Sequence, residues 1–226
     1  RTALLDGKKG ETYVDLDGKK HVLSLYDFAP YGYGTDIDLF DGVQIRFTDA
    51  GHLLGSACIE FWLQEGGIKK KIVFSGDVGN IDQPILNDPL PVAETDYLVV
   101  ESTYGNRLHD KPKDVRAELT EVLQRAFDRG GSVIIPAFAV GRTQELLYLL
   151  REIKQKKLVH GHDGFPVYLD SPLAEEATSV FLQCDTDCFD LETQAVLKSG
   201  QNPIWCPGLQ FAITAEDSKA INSDPR

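Results

Sequence analysis

The sequence contains no methionine among its 226 residues, and it opens on Arg1. A chain of this size ordinarily holds several methionines, so the expectation is a piece of a longer polypeptide. Cysteine is also scarce: Cys58, Cys184, Cys188 and Cys206 are too few and too scattered for a disulfide framework. Cys184 and Cys188 form one close pair, and one pair without a second cannot close a structural zinc site. No apolar run reaches the roughly 18 residues a membrane span needs, and no charged-then-apolar leader opens the chain. These absences set the expectation of a cytoplasmic protein with no membrane partner. Positive charge is in deficit, with 23 Lys and Arg against 35 Asp and Glu and a net charge of −12. A field of that sign opposes nonspecific binding to duplex nucleic acid, unless a metal or a local basic lining dominates within a groove. Phosphate-binding glycine signatures (Gly-x-Gly-x-x-Gly, Gly-x-x-x-x-Gly-Lys-Ser/Thr) are missing too, which ranks an ordinary nucleotide-binding module last.

What is present falls into two styles that meet near residue 105. Before it, short strand-like segments are joined by Gly/Asp turns: Val43-Gln-Ile-Arg-Phe-Thr48, Cys58-Ile-Glu-Phe-Trp-Leu63 and Lys71-Ile-Val-Phe-Ser75. The first two alternate apolar and polar residues, as half-buried strands do. After it, strands and helices alternate. Tyr97–Glu101 reads as a buried strand. Residues 114 to 128 read as a helix with Val115, Leu119, Val122, Leu123 and Ala126 on one face. Ser132–Pro136 reads as the next strand, and Arg142 to about Lys156 as a helix carrying Leu146, Leu147, Leu149, Leu150 and Ile153. Pro166–Asp170 is a third strand, followed by Ser171 as helix N-cap and Pro172 as first helical residue. Such alternation implies an α/β fold with right-handed crossovers and a parallel sheet. A short strand near Leu209–Ile213 and a helix near Ala215–Asn222 complete the chain.

Three residues stand at strand ends where chemistry is placed. His52 lies between two glycines in a loop, with its imidazole presented there; alone, it reads first as a surface histidine. Asp77 sits between glycine-containing turns directly after a strand, where a turn former is the commoner case. His52 and Asp77 together make a pair that zinc accepts. Glu101 closes an apolar strand, with a functional role and a loop carboxylate evenly balanced.

The stretches DAGHLLGSA, FSGDVGN, ESTYGNRLH, IIPAFAVGRTQELLYLL and YLDSPLA, in that order, resemble the metallo-β-lactamase superfamily, in its β-CASP branch of nucleic-acid-processing enzymes. GLQFAITAEDSKAIN near the end is similar to bacterial members. The resemblance implies residues 1–113 as the later part of a metallo-β-lactamase αββα sandwich. It implies residues 114–226 as most of an inserted β-CASP domain, a parallel sheet flanked by helices. It implies two zinc ions in the intact site, with His52 a ligand of one and Asp77 bridging both. Glu101 corresponds to the acidic residue that orients a leaving-group histidine. Arg142 is the candidate phosphate contact, and Ser171 at a helix N-terminus a weaker one. The His-x-His-x-Asp-His motif and two later histidines of the family are absent from this stretch; His160-Gly-His162-Asp163 has the wrong order to replace it.

The implied activity of the intact protein is zinc-dependent hydrolysis of RNA, single-stranded by expectation, with a homo-oligomer left open. This stretch alone is expected to hold zinc weakly and to be inactive. A DNA nuclease of the same branch, or a catalytically dead RNA-binding paralogue, are the alternatives.

Overall fold

The computed structural model describes residues 12–14, 20–22, 30–108 and 114–222. Two short strands, β1 (Thr12–Val14) and β2 (Lys20–Val22), pair antiparallel. The main sheet follows, built from β3 (Ile37–Phe40), β4 (Val43–Asp49), β5 (Ala57–Glu65), β6 (Ile68–Phe74) and β7 (Tyr97–Val99) in that spatial order. The first four form an antiparallel meander, and β7 joins β6 in parallel. Strands β4 and β6 both run antiparallel to β5 and hence alike, and β7 runs with β6. The C-terminal ends of β4, β6 and β7 therefore open on the same edge of the sheet.

Strand alternation sorts the two faces. Ile45, Phe47, Ile59, Phe61, Ile72 and Phe74 share one face by register, and the Phe61 and Phe74 rings meet edge to face at 5.7 Å. The opposite face carries a polar cluster. The buried Glu60 carboxylate accepts from Thr48 Oγ1 at 2.6 Å and pairs with Lys71 Nζ at 2.6 Å. Arg46 and Lys71 each lie 5.0 Å from the centre of the Trp62 ring. Burial works against the Glu60 charge, but the hydrogen bonds from Lys71 and Thr48 outweigh it and lower its pKa.

The second half packs helices around a two-stranded parallel sheet, β8 (Val167–Leu169) with β9 (Leu209–Phe211). The helices are α1 (Val115–Phe127), α2 (Arg142–Gln155), α3 (Pro172–Gln183), α4 (Leu191–Lys198) and α5 (Ala215–Ile221). Helix α2 is the centre: Leu147, Tyr148, Leu150 and Ile153 belong to the core, along with Leu123, Phe181, Phe189, Ile204 and Leu209. Two residues of the first half join that core, Ile85 fully and Leu54 in part. Leu86 bridges Phe189, and Asp190 N–H donates to Ile85 C=O at 3.0 Å, so the loop after β6 is tied to the helical half.

Three expectations change. Ser132–Pro136 forms no strand: among the described residues nothing hydrogen-bonds along it as a ladder, and Ile134 is 90% exposed. An apolar β-branched run supplies the side chains for a strand, but only a neighbouring strand supplies the hydrogen bonds. The strand expected over Tyr97–Glu101 ends at Val99, and it lies exposed at the sheet's edge rather than buried, with Leu98 at 58% and Val99 at 53%. In α1 the buried stripe is Leu119, Leu123 and Phe127, while Val115 and Val122 face outward. Spacing of four selects the first three as one face, and that face is the one α2 covers.

Candidate functional site

His52, Asp77 and Glu101 all lie on the sheet edge where β4, β6 and β7 end. The three strands are not all neighbours, because β5 lies between β4 and β6. The gap is closed by the loops. The 50–56 loop after β4 and the 75–80 loop after β6 meet over the start of β5, where Gly79 N–H donates to Ala50 C=O at 2.8 Å. A side chain at Gly79 would run into the backbone of Gly51, so the approach requires glycine there.

The His52 loop is fixed from within. Ser56 Oγ accepts from the backbone N–H groups of His52 at 3.0 Å and Leu53 at 3.1 Å, and Ser56 N–H returns to Leu53 C=O. The buried Asp49 carboxylate accepts from Gly51 N–H at 2.9 Å, and burial raises its pKa. Tyr33 donates its hydroxyl to Ser56 C=O at 2.8 Å from outside the loop. Glycines mark this segment in the sequence, whereas Ser56 and Tyr33 do not stand out there. Ser56 had a signal, a hydroxyl four residues after the histidine in a tight loop. Tyr33, 23 residues from Ser56, had none.

His52 Nε2 lies 3.9 Å from Asp77 Oδ2, with the two side chains 42% and 72% exposed. The distance is too long for a hydrogen bond. It is close to the roughly 3.4 Å that separates two ligands of one tetrahedral zinc with bonds near 2.1 Å. An imidazole nitrogen and a carboxylate oxygen, both presented and neither consumed by the other, fit part of a zinc coordination shell. They do not fit a whole one: among the described residues no group of three or more potential ligands gathers.

Glu101 sits two residues beyond β7 rather than at its last position. Its Oε1 accepts from Val78 N–H at 2.8 Å, so the carboxylate grips the residue next to Asp77. That bond, then the Thr103 hydroxyl and the His52 charge, lower its pKa. Ser75 completes the brace, since its Oγ accepts from Glu101 N–H at 3.0 Å and its N–H donates to Val99 C=O at 2.9 Å.

Arg142 opens α2 beside this edge. Gly141, its N-cap, packs against the Leu53 side chain, and Gln144 Oε1 reaches back to Gly141 N–H at 2.7 Å. Ser171 is not brought to the site by any described contact. Its Oγ accepts from Ala174 N–H at 3.2 Å, which is ordinary capping of α3. The His160–His162 loop is likewise separate: His162 Nε2 meets Asp128 Oδ1 at 3.0 Å, and His160 N–H donates to Gln124. Lys70 and Lys71 of β6 are paired with Asp96 and Glu60.

A Beta-Casp domain profile matches residues 143–226. The chain is 36% identical over 204 residues to a ribonuclease of Thermus thermophilus, covering 89% of this chain and 44% of that protein. It is 34% identical over 230 residues to the transcription termination factor FttA of Methanosarcina mazei, covering 99% of this chain and 34% of the factor. The chain belongs to the β-CASP branch of the metallo-β-lactamase superfamily. Cleavage and polyadenylation specificity factor 73 of Drosophila melanogaster is 36% identical over 142 residues, covering 62% of this chain and 20% of the factor. The chain spans less than half the length of each of these relatives. In this β-CASP chain the matched profile begins one residue after Arg142, while His52, Asp77 and Glu101 precede it. Among the described residues, no helix is long and apolar enough to cross a membrane.

Proposed function

We propose that the protein carrying this chain cleaves phosphodiester bonds of single-stranded RNA at a zinc site, and that His52 and Asp77 are this chain's share of the ligands. Residues 1–113 would belong to the metallo-β-lactamase domain and residues 114–226 to the β-CASP domain. The observation that carries the reading is the approach of His52 Nε2 and Asp77 Oδ2 to 3.9 Å on the edge shared by three like-running strands. The RNA-directed names of relatives similar over most of this chain support the substrate class. Zinc, when bound, supplies Lewis acidity and a water of lowered pKa.

The chain's own residues have separate tasks. His52 offers one ring nitrogen. Asp77, its side chain 72% exposed, would be the bridging carboxylate that the family resemblance implies. Glu101 holds its charge at the same edge through Val78 N–H and is placed to orient a proton donor. Arg142, 64% exposed beside the His52 loop, offers a bidentate donor to a phosphate oxygen pair. Ser171 remains a weaker candidate for backbone contact with phosphate, because its hydroxyl already caps α3.

The test is a matched pair of single-stranded RNA and DNA substrates, with the full-length protein and its Asp77→Asn variant. RNA cleavage lowered by roughly 100-fold or more in the variant is expected, and lost with chelator. Equal or faster DNA cleavage would move the protein to a DNA nuclease. Cleavage of neither substrate by the parent protein would favour an RNA-binding paralogue without activity.

A further inference from the structure

Glu145 has no role in the chemistry above, yet it is the least expected charge near the site. It sits in the first turn of α2 with its side chain only 12% exposed, and its Oε2 accepts from Arg142 Nη1 at 2.6 Å. Pairs three residues apart on a helix are ordinarily exposed at both ends and contribute a few tenths of a kcal/mol. This pair is different. The carboxylate is buried while the guanidinium is 64% exposed, so the anchor is fixed from the core and the cation is held at the surface. Burial raises the Glu145 pKa, and the charges of Arg142 and His52 both oppose that rise. The same turn is locked on both sides: Gly141 packs on Leu53, next to His52, and Gln144 ties Gly141 N–H, Ala139 C=O and Thr178 Oγ1 together.

A guanidinium is a planar fork of five donors. With Glu145 taking one nitrogen from the buried side, the outer edge of the fork faces solvent in a set direction. We propose that Glu145 is a positioning residue that aims Arg142 at a substrate phosphate on the rim of the His52–Asp77 opening. This rests on the RNA-cleaving reading above. The pair contributes geometry rather than charge, because an ionised Glu145 cancels the attraction that Arg142 alone would exert on RNA. Simple electrostatics and positioning therefore make opposite forecasts for the same variant.

Steady-state cleavage of single-stranded RNA by the full-length protein decides between them, using Glu145→Gln, Arg142→Ala and the double variant. Glu145→Gln removes one negative charge beside the substrate. Positioning nevertheless requires KM to rise by roughly tenfold, with a smaller loss in kcat, and requires that rise to vanish in the Arg142→Ala background. A KM that falls or stays level, or a rise that persists without Arg142, would overturn the proposal. A second arm is independent of RNA. In the ligand-free protein, the Arg142 guanidinium nitrogens, assigned by their disappearance in Arg142→Lys, are expected to show hindered rotation in the NMR spectrum and to average in Glu145→Gln. If the parent cleaves no RNA, the nuclease reading fails by itself, and this arm still decides whether Glu145 holds Arg142. Unchanged Arg142 signals in the variant would sink the positioning role.

Discussion

Glu101 shows how much of a residue's role is legible before folding. Its place after an apolar strand marked it as a candidate, but no spacing rule connects residue 101 to residue 78, 23 positions earlier. Parallel pairing of β6 with β7 makes that connection, and its consequence is testable by pH. Because hydrogen bonding to the ionised form lowers the folded-state pKa of Glu101, the charged contact is fully present above the ordinary glutamate value of about 4.3. It is lost as pH falls through the lower, folded value. Hydrogen exchange at Val78 N–H, corrected for intrinsic rate, is expected to stay level from about pH 7 to pH 5 and to rise only below that range. Acceleration already between those values would show that Glu101 does not hold this loop. Glu145 is the contrary case among residues. In sequence it is an ordinary partner three positions after Arg142; only the packing of α2 against its neighbours buries it.

Among elements, those with strong local signals were readable. Helix α2 needs no neighbour to declare its apolar spacing, and Ser171-Pro172 marks the start of α3 by capping chemistry alone. Ser132–Pro136 reads as a strand from its side chains alone, but a strand is a relation between segments, and among the described residues no ladder forms along it. The loop pair over β5 was readable only in part: DAGHLLGSA and FSGDVGN announce glycine-rich strand ends, but not that Gly79 and Ala50 join them. This junction sets the His52–Asp77 separation, so it offers a test at the scale of the element. Gly79→Ala places a methyl group against Gly51 and must spread the loops. The expected outcome is a loss of RNA cleavage on the order of 100-fold with little change in melting temperature, since displacement of a reacting group by ~1 Å carries a penalty of that size. Near-normal cleavage in that variant would mean the loop junction does not position the site.

At the scale of the molecule, apolar surface is left open in two segments. Leu98, Val99 and Val100 of the β7 edge are each more than half exposed, and Ile134 and Phe138 are exposed at 90% and 86%. Isolated exposed leucines are common, but an apolar edge strand left exposed invites association. The candidate metal site is short of donors as well: His52 and Asp77 approach each other, but among the described residues no group of three or more potential ligands gathers, whereas zinc takes three or four from protein. The 226-residue chain by itself is therefore expected to bind zinc weakly.

Zinc titration by calorimetry into three proteins tests the central assignment most directly: the full-length protein, its His52→Ala and Asp77→Asn variants, and the 226-residue chain. The expected result is tight binding by the full-length parent, affinity lowered by at least about tenfold in either variant, and weak binding by the chain alone. Equal zinc affinity in the parent and both variants would contradict the account, because His52 and Asp77 would then hold no metal.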